Sequence, residues 1–182
     1  MPFRDVSKPD WFFSDVLYVY ERGLMSGTGA DTFTPGEKIS RGMIATVLYR
    51  MAGSPAIDPD NYFVDTKAGE WYSDAAVWAA DSRIMSDDGA FFRPNETMSR
   101  QDLALTLYRY ARYKGWDVSG RKSLTGYADY KDIYSANRDA MSWAVYTGLI
   151  NGVGNNRLNP TGETVRSDFA ALLHRFCQNV KG

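Results

Sequence analysis

The chain has 182 residues, 44% of them hydrophobic and 14% aromatic, and a formal net charge of −1. That is ample apolar material for a packed core, and the balanced charge with no basic run excludes the electrostatic footprint of a nucleic-acid binder. No apolar stretch approaches the roughly 18 residues of a spanning helix, and the single cysteine, Cys177, excludes an intrachain disulfide framework.

In chain order, the first feature is Phe3-Arg4-Asp5-Val6, an aromatic-x-Asp opening followed by Trp11. Apolar residues spaced three and four apart predict a helix from about Ser14 to Arg22. Gly23 stands just past it, where a left-handed C-terminal cap needs glycine. A loop from Ser26 to Asp31 leads to Phe33-Thr34-Pro35 and then Ser40-Arg41. Ile44, Val47, Leu48 and Met51 make the apolar stripe of a second helix, and Gly53 to Pro59 reads as a linker.

The same order then returns twice. Phe63-Val64-Asp65-Thr66 and Trp71 precede a helix over Ser73 to Ser82, with Ala76, Val77 and Ala80 on its apolar face. Arg83 holds the place of the capping glycine, a less favourable choice. Ser86 to Gly89, Phe92-Arg93-Pro94 and Ser99-Arg100 follow, then a helix striped by Leu103, Leu107, Tyr108 and Ala111, then a linker from Lys114 to Thr125. Tyr127-Ala128-Asp129-Tyr130 opens the last block, with a helix over Asn137 to Thr147, Gly148, a loop from Asn151 to Asn156, Leu158-Asn159-Pro160 and Val165-Arg166. Its closing helix carries Phe169, Leu172, Leu173 and Phe176. The repeats are placed at residues 1–54, 61–114 and 125–182.

Block starts lie 60 and then 64 residues apart, yet each arginine follows its proline by six residues. A fixed interval within a drifting period marks the proline-to-arginine segment as the constrained unit. A domain of about 60 residues buries only roughly 60% of its unfolded surface and is marginal alone. Three stacked blocks remove that difficulty. The expected fold is mainly α with short extended pieces.

The arginine is the anomalous residue. Ser99 with Asp102 reads as a capping box, Ser40 lacks the acid because Met43 stands there, and Val165 lacks the hydroxyl. Capping does not account for a cation in the first helical turn, which opposes the helix dipole by about 0.3–1 kcal/mol. Arg41, Arg100 and Arg166 therefore read either as receptors for an anionic group, aided by free N–H groups of the helix start, or as structural partners of Asp5, Asp65 or Asp129.

Other residues are weaker signals. Trp11 and Trp71 read as core, as groove wall or as an aromatic face for a ligand, whereas Trp78 and Trp143 read as core. Gly27, Gly89 and Gly152 lie in loops whose backbone is able to approach a ligand closely. Asp5, Asp65 and Asp129 are expected to bond backbone amides locally. No loop has the ligand spacing of an EF-hand, so no metal and no cofactor is expected. Glu37, Glu96 and Glu163 do not form the carboxylate pair that glycoside hydrolysis requires. His174 and Cys177 share one helix face but recur in no other block, so packing is favoured over a nucleophilic pair.

These residues closely resemble three tandem S-layer homology domains. That family's Phe-x-Asp-Val, Trp, Gly-rich loop, Phe-x-Pro and Ile-Thr-Arg-Ala-Glu appear first as Phe3 to Val6, Trp11, Gly23 to Gly27, Phe33 to Pro35 and Ile39-Ser40-Arg41-Gly42-Met43. They appear again with Met98-Ser99-Arg100-Gln101-Asp102 and with Thr164-Val165-Arg166-Ser167-Asp168. Gly42, Met43 and Val165 depart from the pattern, as does Tyr134, which stands where the early Trp falls.

The resemblance implies a pseudo-threefold, three-pronged assembly without catalytic activity. It also implies anchoring to a secondary cell wall polysaccharide with a pyruvylated N-acetylmannosamine-type terminus, held in grooves between repeats. On this reading Arg41, Arg100 and Arg166 meet the carboxylate, and Ser40, Ser99, Trp11, Trp71, Gly27, Gly89 and Gly152 line the sites. The location would be extracellular, in the wall or surface layer of a Gram-positive-type bacterium. No signal peptide precedes the first repeat, so a fragment of a longer exported protein is expected. The alternative is a structural, self-assembling or protein-recruiting module that contacts other surface-layer proteins.

Overall fold

The computed structural model of the protein describes residues 1–58 and 63–180. Pro59 of the first linker, residues 61 and 62 of the second repeat and residues 181 and 182 of the third lie outside the described residues. Among the described residues the helices are α1 (Phe13–Glu21), α2 (Arg41–Met51), α3 (Ser73–Asp81), α4 (Arg100–Tyr113), α5 (Arg138–Tyr146) and α6 (Arg166–Asn179). The periodicity places α1, α3 and α5 within one residue at each end. The expected extended pieces reduce to isolated antiparallel bridges, Lys38 with Val165, Ser40 with Thr97 and Ser99 with Glu163. No described helix is long and apolar enough to cross a membrane.

The chain forms two compact units, Ile39–Met98, and Met1–Lys38 with Ser99–Gly182. In the first unit α2 packs on α3. Ala75, Ala76 and Ala79 are fully or almost fully buried and let the helices approach. Tyr49 meets Trp78 at 5.5 Å between ring centres. In the second unit α6 packs on α1 and α4 packs on α5. Tyr110, Trp116, Trp143 and Phe176 form one aromatic cluster there, with centroids 5.7–6.5 Å apart. Burial pushes the Tyr110 hydroxyl up to about 12. Trp78 and Trp143 are core residues, as their helical positions predict.

One rule governs all three pairs. The second helix of a repeat packs on the first helix of the next repeat, and the last repeat's α6 packs on the first repeat's α1. Helix pairs thus cross repeat boundaries, because the apolar residues of each helix must be covered. The linker from Lys114 to Thr125 is fastened rather than free. Lys122 N–H donates to the Ser142 hydroxyl at 3.1 Å, and that hydroxyl donates back to Lys122 O at 2.8 Å. A Cβ on Gly120 would lie 2.1 Å from the Tyr146 ring.

Helices α1 and α5 end on Gly23 (φ +65°) and Gly148 (φ +73°), and α3 ends on Arg83 with φ +56°. An L-residue in the left-handed region costs roughly 1–2 kcal/mol, part of which glycine loses again to unfolded-state entropy. Arg83 is exposed, so its side chain contributes little packing. Arg83→Gly is therefore expected to stabilise by about 0.5–1 kcal/mol. A higher urea midpoint with an unchanged slope would show it.

Candidate functional site

Each Phe-x-Pro turn is held from two sides. In the first repeat the Asp5 carboxylate accepts from Phe33 N–H at 2.8 Å and Thr34 N–H at 2.7 Å. Asp65 does the same for Phe92 at 2.9 Å and Arg93 at 2.7 Å, and Asp129 for Leu158 at 3.0 Å and Asn159 at 2.8 Å. These amides lie 27–30 residues away, so the aspartates close whole repeats rather than local turns. The middle residue of each turn sits in the left-handed region: Thr34 at φ +55°, Arg93 at +58° and Asn159 at +52°. Such strain persists only where surrounding contacts fix it, and the carboxylate supplies that contact. Burial pushes the Asp5 and Asp129 carboxyls up, but the paired amides outweigh it and hold both below the usual range.

The carbonyl side of the same turn is held by the motif arginine of another repeat. Arg41 Nε donates to Phe92 O at 2.8 Å and Nη2 to Ser86 O. Arg100 Nε donates to Leu158 O at 3.0 Å and Nη2 to Asn151 O at 3.1 Å. Arg166 Nε donates to Phe33 O at 2.8 Å and Nη2 to Ser26 O at 2.7 Å. The guanidinium is required here because its rigid planar fork reaches two backbone carbonyls at once, something a helix-capping residue cannot do.

The helix start itself is docked. Arg41 and Gly42 donate their N–H groups to Glu96 O and Pro94 O, Arg100 and Gln101 to Gly162 O and Pro160 O, and Arg166 and Ser167 to Glu37 O and Pro35 O, at 2.8–3.0 Å. Groups that the sequence reading assigned to an anion are thus used by the protein. Ser40 Oγ accepts from Met43 N–H, and Ser99 Oγ accepts from Asp102 N–H, both at 3.3 Å. The Asp102 carboxylate accepts from the Ser99 hydroxyl and from Asn137 at 2.8 Å, in place of the reciprocal backbone contact of a capping box. Val165 makes no side-chain cap. A Cβ on Gly27 would lie 2.6 Å from Thr32 O and 2.7 Å from the Phe3 ring, so protein fills that approach. Gly89 has φ +87°, and Gly152 is exposed.

The three arginines are not equivalent. Arg166 is 5% exposed, lies 4.5 Å over the Phe33 ring and has the Glu37 carboxylate at 4.0 Å. Arg41 is half-buried and lies 4.8 Å over Phe92. Arg100 is half-buried, and among the described residues its side-chain hydrogen bonds are the two to Leu158 and Asn151, with no ion pair. The position of Glu37 and Glu96, two residues past the proline, is Gly162 in the third repeat. Glu163 instead pairs with Lys38.

Exposed aromatic rings stand beside two of these helix starts. Trp71 is 55% exposed, and the adjoining Tyr72 Cβ lies 3.3 Å from where a Cβ on Gly42 would be. Tyr134 is 60% exposed, and its N–H donates at 2.8 Å to Gln101, the neighbour of Arg100. Trp11 is 63% exposed and packs edge-on against Phe12. Sequence reasoning noted Tyr134 only as a departure and missed Gln101, a fully buried side chain whose oxygen accepts from the Tyr134 N–H.

His174 stacks on Tyr18 at 3.8 Å, with Nδ1 2.7 Å from the Asp15 carboxylate. Burial pushes the Cys177 thiol up, which opposes a thiolate nucleophile. Among the described residues no group of three or more His, Cys, Asp or Glu is arranged to hold a metal ion.

The S-layer homology domain model matches residues 2–42, 62–104 and 126–170. The chain is 29% identical over 169 residues to the surface-layer 125 kDa protein of Lysinibacillus sphaericus, covering 91% of this chain and 14% of that protein. It is 24% identical over 157 residues to the S-layer protein sap of Bacillus anthracis, covering 84% and 18%. It is also 25% identical over 176 residues to an amylopullulanase of Thermoanaerobacterium thermosulfurigenes, covering 94% of this chain but 9% of the enzyme. The chain thus spans less than a fifth of the length of these relatives, and the matches support a cell-surface anchoring or S-layer module. Three matched segments covering well over half of its residues place the chain in the S-layer homology domain family.

Proposed function

We propose that this chain is a non-covalent wall-anchoring module. It binds an anionic, pyruvylated secondary cell wall polysaccharide at the helix starts that follow Arg41 and Arg100. The observation that carries this reading is Arg100, a half-buried guanidinium fixed by two carbonyls, with no ion pair among the described residues, and with exposed Tyr134 bonded through its N–H to the adjoining Gln101. A carboxylate entering there meets a charge already oriented, and a sugar ring has an aromatic face to lie on. Arg41, fixed by the Phe92 and Ser86 carbonyls, with exposed Trp71 next to Tyr72 at its helix start, is the second candidate position. Arg166 is buried against Glu37 and serves as a structural tie. Of the residues assigned from sequence, Arg41, Arg100 and Trp71 keep a ligand role in this proposal. Ser40, Ser99 and Gly27 shape the backbone instead, and Trp11, Gly89 and Gly152 are given no ligand role.

A second reading, self-assembly or protein recruitment, has one observation in its favour. Val64 and Phe91 are 71% and 42% exposed in the second repeat, where the first has Arg4 and Thr32 and the third has Ala128 and Arg157.

The test is co-sedimentation with purified Gram-positive walls before and after removal of the polymer and its ketals. A charge-assisted hydrogen bond contributes about 1.5–3 kcal/mol, so Arg100→Ala should weaken binding by roughly ten- to a hundredfold. Tyr134→Ala should weaken binding while leaving the arginine's carbonyl contacts in place. Undiminished binding in both variants would remove this site from the proposal. Concentration-dependent self-association without wall binding would favour the second reading.

A further inference from the structure

We infer that Asn151 is a spontaneous modification site whose isoaspartate form places a permanent carboxylate on the Arg100 guanidinium. Asn151-Gly152 is the sole Asn-Gly pair in the sequence. Both residues are exposed, outside any helix, and Gly152 has no Cβ to hinder attack by its own nitrogen. The corresponding positions in the other repeats are Ser26 and Ser86, which lack this chemistry. Asn155 and Asn156 are followed by Asn156 and Arg157, whose side chains crowd the attacking amide.

Asp88-Gly89 has the same spacing but a resistant acid. The amides of Phe91 and Ala90 donate to its carboxylate at 2.7 and 3.2 Å and, with Arg93, hold it ionised and below its usual range. Ring closure at aspartate requires the neutral acid as leaving group, so that pair is protected.

At Asn151 the chemistry is balanced by water alone. The Gly152 nitrogen attacks Cγ, the Cγ–Nδ2 bond breaks, and ammonia leaves with the proton from Gly152, forming a succinimide. Water then cleaves the bond between the Asn151 α-carbonyl carbon and the Gly152 nitrogen. The main chain now runs through Cγ, and the former α-carbonyl becomes a free carboxylate. Its oxygen is the one that accepts from Arg100 Nη2 at 3.1 Å. A neutral backbone acceptor is thereby replaced by an anion at the group assigned to the ligand. Arg100 then carries an internal competitor, as Arg166 already does in Glu37.

The site of modification stands on its own, and its effect on binding rests on the proposed function. The test ages the protein at mildly alkaline pH beside Asn151→Ser, which installs the residue found at this position in the first and second repeats. Peptide mapping with fragmentation diagnostic of isoaspartate should find it at Asn151 in the wild type. The Arg100 Nε–Hε resonance should move in the aged wild type and stay in the aged variant. An unmodified Asn151 beside a deamidated Asn155 or Asn156, or an unmoved Arg100 resonance once isoaspartate has formed, would overturn the inference. In wall co-sedimentation the aged wild type should lose binding in proportion to its isoaspartate content, and Asn151→Ser should not. Fresh protein that fails to sediment would instead count against the wall-binding reading, with peptide map and resonance still deciding this one.

Discussion

Arg166→Ala is expected to be the most destabilising of the three arginine truncations, by about 2–5 kcal/mol. Arg166 is 5% exposed and its Nε partner, Phe33, is fully buried. Truncation would strand the Phe33 and Ser26 carbonyls and leave Glu37 without its cation. Against a total stability of roughly 5–15 kcal/mol, this loss would be visible as a large fall in the denaturation midpoint. At half-exposed Arg41 and Arg100 water can partly replace the guanidinium, so about 1–2 kcal/mol is expected. Arg166→Lys restores charge but not the two-pronged reach and should recover less than half. Equal losses at all three positions would show that burial does not distinguish them.

The second large effect concerns the buried carboxylates. Asp129→Ala removes the acceptor for two amides and the partner of Arg157, at a residue whose side chain is 1% exposed. Two stranded donors and a released left-handed turn at Asn159 should together cost about 2–4 kcal/mol. The same group carries a pH dependence of definite sign. Its folded carboxyl titrates lower than the unfolded one, because the amide contacts outweigh burial. The unfolded chain therefore binds more protons in acid, and stability falls as pH drops. The contribution is complete above an ordinary aspartate value of about 3.9 and lost as pH passes below the lowered folded value. Asp5 adds a pH dependence of the same sign. Denaturation curves at several acidic pH values should show a shallower decline in Asp5→Asn and Asp129→Asn than in the wild type, and parallel declines would refute the linkage.

Much of this was legible in the sequence, for identifiable reasons. Helical spacing located α1, α3 and α5 from apolar residues three and four apart, although α3 is buried all round from Ala75 to Ala79, and Gly23 and Gly148 marked the left-handed ends. The aspartates are amide acceptors, as expected, but the expected local amides are replaced by ones 27–30 residues away. The arginine was recognised as unexplained by capping, but both readings of it assumed a charged partner. Its main partners are carbonyls, which every residue possesses and which therefore leave no mark on composition or spacing. Gln101 was missed for a related reason. A single buried polar residue has no periodic signature, and its role appears only when Tyr134 is brought to it from another repeat.

The discontinuity of one compact unit has a consequence for the order of folding. Contacts within Ile39–Met98 are complete once that continuous stretch has been made. The contact of Arg166 with Phe33 spans 133 residues, whereas that of Arg100 with Leu158 spans 58. By the logarithmic scaling of loop closure the longer connection costs only about 0.7 kcal/mol more. Its penalty is one of timing. During vectorial synthesis or export α1 must wait for α6, the helix it packs on, for nearly the whole length of the chain.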